Sequence, residues 1–346
     1  MAEYELREVR LSDFAALHAF LKELAPASWS RSGWVPQMAP ETLQWLLVET
    51  PFRREGEPLG FGLFGSDGSV LGTHLHVPWA FALPEGGVVP AVISSCSYVV
   101  PELRESGEFG ILFERFRAFG KTHVIAVTTA NEASARFWKA IRGVPIEGTS
   151  GEKLVVLDYG ALVAEKVGSK VPGLGALVAK SSRLTSRSSK NGEAQVRRLE
   201  SAQEILVGST GEGASTPTTF EVLNWRYFAK PEPVPDVWEI GAGGRRAVLA
   251  VLERRRGSRQ TLSVLQVLEI FVWDDGLELD AVVSALHSKY PEVAAISFMG
   301  SLPNSATSRK VMDREFAEPI GWRYDRKKLL AGAKLHWSPA VGDGFI

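Results

Sequence analysis

The chain has 346 residues, 45% hydrophobic and 23% charged, with a formal net charge of −1. That length exceeds one domain of about 150 residues, so two domains are expected, and the composition is that of an ordinary globular protein. The single cysteine, Cys96, excludes an intramolecular disulfide, and no apolar run approaches the about 20 residues of a membrane-spanning helix. The charged opening Met1-Ala2-Glu3-Tyr4-Glu5 lacks the apolar core of a signal peptide, and a cytoplasmic location is expected.

In chain order, Val70–Ala82 reads as a strand on which His74 and His76, two apart, share a face. Either can supply a base near neutral pH, although each taken singly reads first as a half-buried sheet histidine paired with backbone or solvent. With no Cys or acidic third ligand nearby, no metal site is expected. Val88–Val100 is a second, apolar strand that contains no acid. Period-2 alternation puts Ser94, Cys96 and Tyr98 on one face and Ser95 and Ser97 on the other, so Tyr98 joins His74 and His76 as a candidate catalytic residue. Cys96 has no histidine partner in sequence and reads as a small buried hydrophobe.

Next comes Arg104-Glu105-Ser106-Gly107-Glu108-Phe109-Gly110, a glycine turn followed by an apolar helix pattern over Ile111–Phe119. A strand, a tight turn and a helix N-terminus aim several backbone N–H groups at one point, which attracts a pyrophosphate. Gly107 and Gly110 permit close backbone approach, and Arg104 can add a charge-assisted bond. An ordinary strand-to-helix connection with a surface arginine has the same composition. A β-rich run, Thr122–Thr128, precedes Asn131–Lys139, which opens with an Asn N-cap signal and continues as an amphipathic helix.

Order and spacing resemble a known family. Val99-Val100-Pro101-Glu102-Leu103-Arg104 through Gly110 resembles the V-x-P-E-x-R-x-x-G-x-G/A segment of the GCN5-related N-acyltransferases. Thr129-Ala130-Asn131-Glu132-Ala133-Ser134, then Phe137-Trp138 and Gly143, resembles their N-E-x-A/S segment, and Tyr4–Leu17 resembles their opening strand, turn and first helix. The resemblance implies that Val99, Arg104, Glu105, Ser106, Gly107, Glu108, Phe109, Gly110, Asn131 and Ser134 form the donor site for acetyl-CoA or another acyl-CoA. It also implies an oxyanion-binding amide near Val99. The sequence departs from the family at Phe109, where Gly or Ala is usual, and at Trp138, where many members carry a proton-donating tyrosine.

Gly and Ser become frequent over 160–217, which is expected to link an N-terminal domain, 1–159, to a C-terminal one, 218–346. Its basic residues Lys166, Lys170, Lys180, Arg183, Arg187, Lys190, Arg197 and Arg198 read as a solvated linker or as a docking surface for an acidic carrier protein or tRNA. Within it, Glu193–Leu206 reads as a short helix or strand. The second half repeats the alternation: strands Val237–Ile240, Arg246–Arg254 and Leu262–Trp273, a helix Leu277–Lys289, a strand Ala294–Met299 and a helix from Asn304 through Phe316. Phe220–Pro231 resembles an L-x-W-R-Y-x-x-x-P segment in the second half of long bacterial members. Where the glycine turn would recur stands Asp274-Asp275-Gly276-Leu277-Glu278-Leu279-Asp280, whose acids would repel a phosphate.

The expected fold class is therefore α/β (α+β), two tandem N-acyltransferase folds, each a mixed, mostly antiparallel sheet flanked by helices, the second without a donor site. The expected activity is transfer of an acyl group, most simply acetyl, from acyl-CoA to a primary amine or amino-sugar acceptor by direct attack. A carrier-protein or tRNA donor, or a catalytically silent binding module, are the alternatives.

Overall fold

The structure is a computed structural model that describes residues 4–29, 39–104, 107–168, 194–205, 214–231, 233–256, 262–303 and 307–341. Its first elements are β1 (Tyr4–Glu8), α1 (Phe14–Trp29), α2 (Pro40–Leu47), β2 (Gly60–Gly65), β3 (Val70–Ala82) and β4 (Val88–Val99). There follow α3 (Glu108–Arg117), β5 (Val124–Val127), α4 (Glu132–Ala140), β6 (Val144–Pro145), β7 (Gly151–Val156) and α5 (Tyr159–Gly168). The second half contributes β8 (Gln195–Leu199), α6 (Phe220–Tyr227), β9 (Asp236–Ala242), β10 (Arg245–Arg256), β11 (Leu262–Trp273), α7 (Leu279–Lys289), β12 (Ala295–Met299), β13 (Val311–Glu315) and β14 (Trp322–Tyr324).

The strands form two seven-stranded sheets, β1-β2-β3-β4-β5-β14-β6 and β8-β9-β10-β11-β12-β7-β13. All neighbours are antiparallel except β4 with β5 and β11 with β12, so the two sheets match position by position. The sixth strand of each is exchanged: β14 completes the first sheet and β7 the second. This is the α/β tandem architecture expected from the alternation of elements. The helix expected from Asn304 through Phe316 is not formed. Residues 304–306 lie outside the described set, and 311–315 pair with β7 as an edge strand, because the outer edge of an exchanged strand needs a partner more than an isolated turn of helix does. Segment Glu193–Leu206 resolves into β8 and a 3-10 turn at Ala202–Glu204.

Each exchanged strand is fastened where it lands. On β7, the buried Glu152 carboxylate accepts from Arg256 of β10 at 2.7 Å, from Arg314 of β13 at 2.9 Å and from Ser297 of β12 at 2.6 Å. Burial alone would raise this carboxyl's pKa; the arginines and the hydroxyl outweigh it and hold the group below its usual range. On β14, buried Trp322 donates to the Pro319 carbonyl at 2.8 Å, and the Ile320 and Gly321 carbonyls accept from Ala130 and Ile146.

The halves meet through α2 and α6. Trp45 and Trp225 stack with centroids 4.9 Å apart, and each indole N–H donates to the other residue's backbone carbonyl, at 3.0 and 3.1 Å. The two segments are a sequence repeat offset by 180 residues: Glu41-x-Leu43-Gln44-Trp45, followed by Pro51, matches Glu221-x-Leu223-Asn224-Trp225, followed by Pro231. Even the helix ends agree, since the Gln44 and Asn224 carbonyls each accept from the residues four and five places on. Around the pair, Trp79 donates to Thr216 at 3.1 Å, and the buried Arg226 and Tyr227 converge on Glu269. One hydrophobic cluster consequently runs from α1 and β3 of the first half to α6 and β10 of the second.

Of the basic residues expected in the linker, Lys170, Lys180, Arg183, Arg187 and Lys190 lie outside the described residues, as does the side chain of Lys166. Arg197 and Arg198 belong to β8, where they pair with Glu204, Glu239 and Asp236.

Replacing Trp225 by Phe keeps the ring but leaves a buried carbonyl of Trp45 without its donor, a loss of about 1–3 kcal/mol. The urea midpoint of the variant is expected to fall, with fluorescence and far-UV circular dichroism still reporting one coincident transition because the two halves share this core.

Candidate functional site

The parallel ladder between β4 and β5 runs only from Ala91 opposite Val124 to Ser94 opposite Val127. Beyond it β5 ends, while β4 continues to Val99 along β3 and opens a V between the two strands. A bulge sits at the divergence: Thr73 faces Tyr98 and Leu75 faces Ser95, so His74 alone spans Cys96 and Ser97. Cys96 takes a left-handed backbone, φ 48°. The bulge resets the alternation. Cys96 joins the apolar core with Ala91 and Ile93, and Ser94 and Ser97, expected on opposite faces, meet with hydroxyls 3.0 Å apart. Tyr98 remains on the Cys96 side, packed edge-on to Phe20 at 6.2 Å.

At the mouth of the V the chain makes a 3-10 turn at Pro101–Leu103 and then enters α3. Gly107 is the N-cap of α3 with φ 94°, a conformation that strains any side chain. A Cβ placed on Gly107 or on Gly110 would meet nothing within 4 Å, so the space beside both glycines is open, while the Gly110 and Ile111 amides bond back to the Gly107 carbonyl at 2.9 and 3.4 Å. Arg104 reaches back, donating from Nε to the Val99 carbonyl at 3.3 Å and from Nη2 to the Tyr98 hydroxyl. Its guanidinium carbon lies 4.9 Å from the Tyr98 ring centroid. Tyr98, Val99 and Arg104 thus form one constellation beside the helix start. Glu105 and Ser106 lie outside the described residues.

The other expected donor residues have identifiable partners. Glu108 is buried and accepts from the Tyr4 hydroxyl at 3.3 Å; burial, then the carboxylate, raises the Tyr4 pKa. Phe109 turns toward α4, its ring 4.6 Å from that of Phe137, so its backbone can serve the turn while its side chain packs. Asn131 and Ser134 form a capping box on α4, each bonding the other's backbone N–H at 2.9 and 3.0 Å. A groove of about 480 Å³ continues from Gly107 and Gly110 between α3 and α4, floored by Ile111, Phe113, Phe137 and Ile141. Ile111 and Phe137 are unusually exposed for their size, a signal in the structure that composition does not carry.

No protein-family model and no curated protein sequence matches the chain. Among solved structures, the chain is similar to Saccharomyces cerevisiae N-myristoyltransferase with bound myristoyl-CoA, at 10% identity and a TM-score of 0.58, with 94% of this chain and 83% of that chain covered. It is also similar to a probable N-acyltransferase from Enterococcus faecalis, at 10% identity and a TM-score of 0.53, covering 93% of this chain and 72% of that one. The fold is that of tandem GCN5-related N-acyltransferases.

Only one half of this N-acyltransferase fold keeps the turn open. In the second half Gly276 also has a left-handed backbone, φ 74°, yet a Cβ there would lie 2.4 Å from the Arg245 guanidinium. Arg245 donates to the Gly276 carbonyl at 2.5 Å and Asp274 accepts from the Arg246 amide at 2.8 Å. That turn is filled by the protein's own side chains.

His74 and His76 do share a face of β3, as their spacing requires, but the face lies under α3. Both are buried, His74 with its ring centroid 4.7 Å from that of Phe116, and His76 at 5.3 Å from Phe116 and 5.0 Å from Phe119. Their four ring nitrogens have no hydrogen-bond partner among the described residues. Burial pushes the His74 pKa down to about 3, and burial together with His74 pushes His76 well below its ordinary value; both are neutral in the folded protein at pH 7. Trp138 is buried as well, packed edge-on against Phe113 and Phe116 in the layer between α3, α4 and β5, and its indole has no route to a thiolate in the V. No group of three or more His, Cys, Asp or Glu that could hold a metal occurs among the described residues, and none of their helices is long and apolar enough to cross a membrane.

Both histidine pKa values are lower in the folded than in the unfolded chain. Their neutral burial is therefore fully tolerated above about pH 6.5 and opposes folding progressively as pH falls below that value. Replacing both by Leu is expected to flatten the acid limb of the stability curve between about pH 6 and 4, where each unit costs on the order of 1 kcal/mol per histidine. Urea midpoints of the variant and the native protein across that range measure the difference.

Proposed function

We propose that the chain is an acyl-CoA-dependent N-acyltransferase whose donor site is the V between β4 and β5 and the helix start at Gly107. The observation that carries this reading is the unfilled left-handed turn at Gly107, with Gly110 and Arg104 beside it, at the open end of a splayed parallel strand pair. An open helix N-terminus with an arginine beside it fits a pyrophosphate. The residues up to 159 would supply the donor site. Those from 218 onward would close the acceptor side across the Trp45–Trp225 contact.

An acyl-CoA supplies a thioester carbonyl, which a neutral amine attacks directly: the C–N bond forms, the C–S bond breaks, the nitrogen gives up one proton and the sulfur takes one up, so that an amide and a free thiol result. The chain's part is positional. The Val100 amide donates to Leu71 across the β3 side, so alternation along the strand turns the Val99 N–H toward the V, where it can meet a developing oxyanion. Tyr98 holds a proton-bearing hydroxyl at the same mouth, oriented by Arg104, and is the group we assign to the departing sulfur. His74 and His76, neutral and sealed under α3, are not assigned a role in proton transfer. The acyl group is most simply acetyl, and the acceptor a primary amine or amino sugar.

Calorimetric titration with acetyl-CoA tests the site. Arg104→Gln removes one charge-assisted contact to phosphate and is expected to weaken binding about 10–100-fold, and Gly110→Trp, which meets open space, is expected to abolish it while leaving the fold intact. Arg245→Gln in the second half is expected to leave the affinity unchanged. Tyr98→Phe is expected to retain binding and to lower kcat about 100-fold with any amine that is turned over. Absence of binding by the native protein overturns the proposal, and binding without turnover across an amine panel points to a binding module.

A further inference from the structure

A second concavity, about 690 Å³, lies beside β14 and β6 at the edge of the first sheet. Its cations are Arg142, from the end of α4, and Arg323 and Lys328, from β14 and the turn after it. They are separated by about 180 places in sequence and meet only because β14 is exchanged into this sheet beside Val144. No carboxylate among the described residues pairs with any of the three. Among the described residues Asp325 is the one acid that lines the concavity. It spends both oxygens on the Leu329 and Leu330 amides, at 2.8 and 3.0 Å, and so shapes the loop that carries Lys328.

Three of the four non-glycine residues with left-handed backbones among the described residues, Arg142, Lys328 and Ala331, line this one concavity. Such conformations cost about 1 kcal/mol each and persist where the surrounding structure imposes them. Volume, unbalanced positive charge and imposed backbone therefore coincide. The place is distinct from the donor cleft: β14 runs antiparallel to β5, with Tyr324 opposite Ile125, so the chain that leaves Tyr324 emerges at the end of β5 remote from the V.

We infer that the concavity bounded by Arg142, Arg323 and Lys328 binds a small organic phosphomonoester. Three cations against one committed carboxylate suit a dianion, arginine forks suit phosphate oxygens, and the volume lies in the range of small-molecule sites. The inference stands independently of the donor site.

Phenyl phosphate is the probe, followed by amide chemical shifts of the full-length protein. Saturable shifts confined to Arg142 and the segment from Arg323 to Gly332 are expected, with phenylsulfonate, a monoanion, binding at least about tenfold more weakly. Arg142→Asn and Lys328→Asn remove charge while keeping a residue that tolerates a left-handed backbone; each is expected to weaken phenyl phosphate binding about tenfold or more, with acetyl-CoA affinity unchanged. The inference is overturned if shifts do not saturate by about 10 mM, if the variants bind like the native protein, or if phenylsulfonate binds equally well. Steeply salt-dependent binding of a short single-stranded RNA in place of phenyl phosphate also overturns it, in favour of a nucleic-acid surface.

Discussion

Two indole N–H groups, each bonded to the backbone of the other's residue, set the geometry on which the rest of the molecule depends. Trp45 and Trp225 occupy equivalent places in a repeated segment, and their bonds are reciprocal. A buried indole N–H is best placed against an acceptor, and for Trp45 and Trp225 that acceptor belongs to the other half of the chain. The contact fixes the distance and rotation between the sheets, and the exchanged strands β7 and β14 then lock that arrangement by making each sheet incomplete alone.

Symmetry of fold has been kept while symmetry of chemistry has been lost. Both halves place a left-handed glycine before the helix that connects the two strands of a splayed parallel pair. At Gly107 the space beyond the turn is empty, and Arg104 is drawn aside onto Tyr98 and Val99. At Gly276 an arginine from the neighbouring strand occupies that space. One side chain thus separates an open turn from one that is filled by an arginine of the neighbouring strand.

Much of this was legible in the sequence, and the failures have physical causes. The glycine turn, the strands around it and the acid-rich counterpart in the second half were readable because glycine placement and alternation are local properties. The face assignment on β4 failed at Cys96, where a non-glycine left-handed residue inserts a bulge that alternation cannot foresee. The helix expected after Asn304 gave way to an edge strand because its partner, β7, comes from a distant part of the chain. The tryptophan repeat was present in the residues but sparse, and its meaning depended on two helices facing one another. His74 and His76 were placed correctly on one face; what the strand pattern did not show was that α3 covers it.

The strand exchange also governs when each sheet can exist. As the chain emerges from the ribosome, residues through Pro145 have supplied every strand of the first sheet except the one between β5 and β6. That gap is filled by Trp322–Tyr324, close to the end of the sequence. The nascent first half therefore waits with an open slot through the synthesis of almost all of the second, holding β7 as a donor that has no sheet to join. The edges of β5 and β7 therefore stay unpaired until the last strands of both sheets have been made.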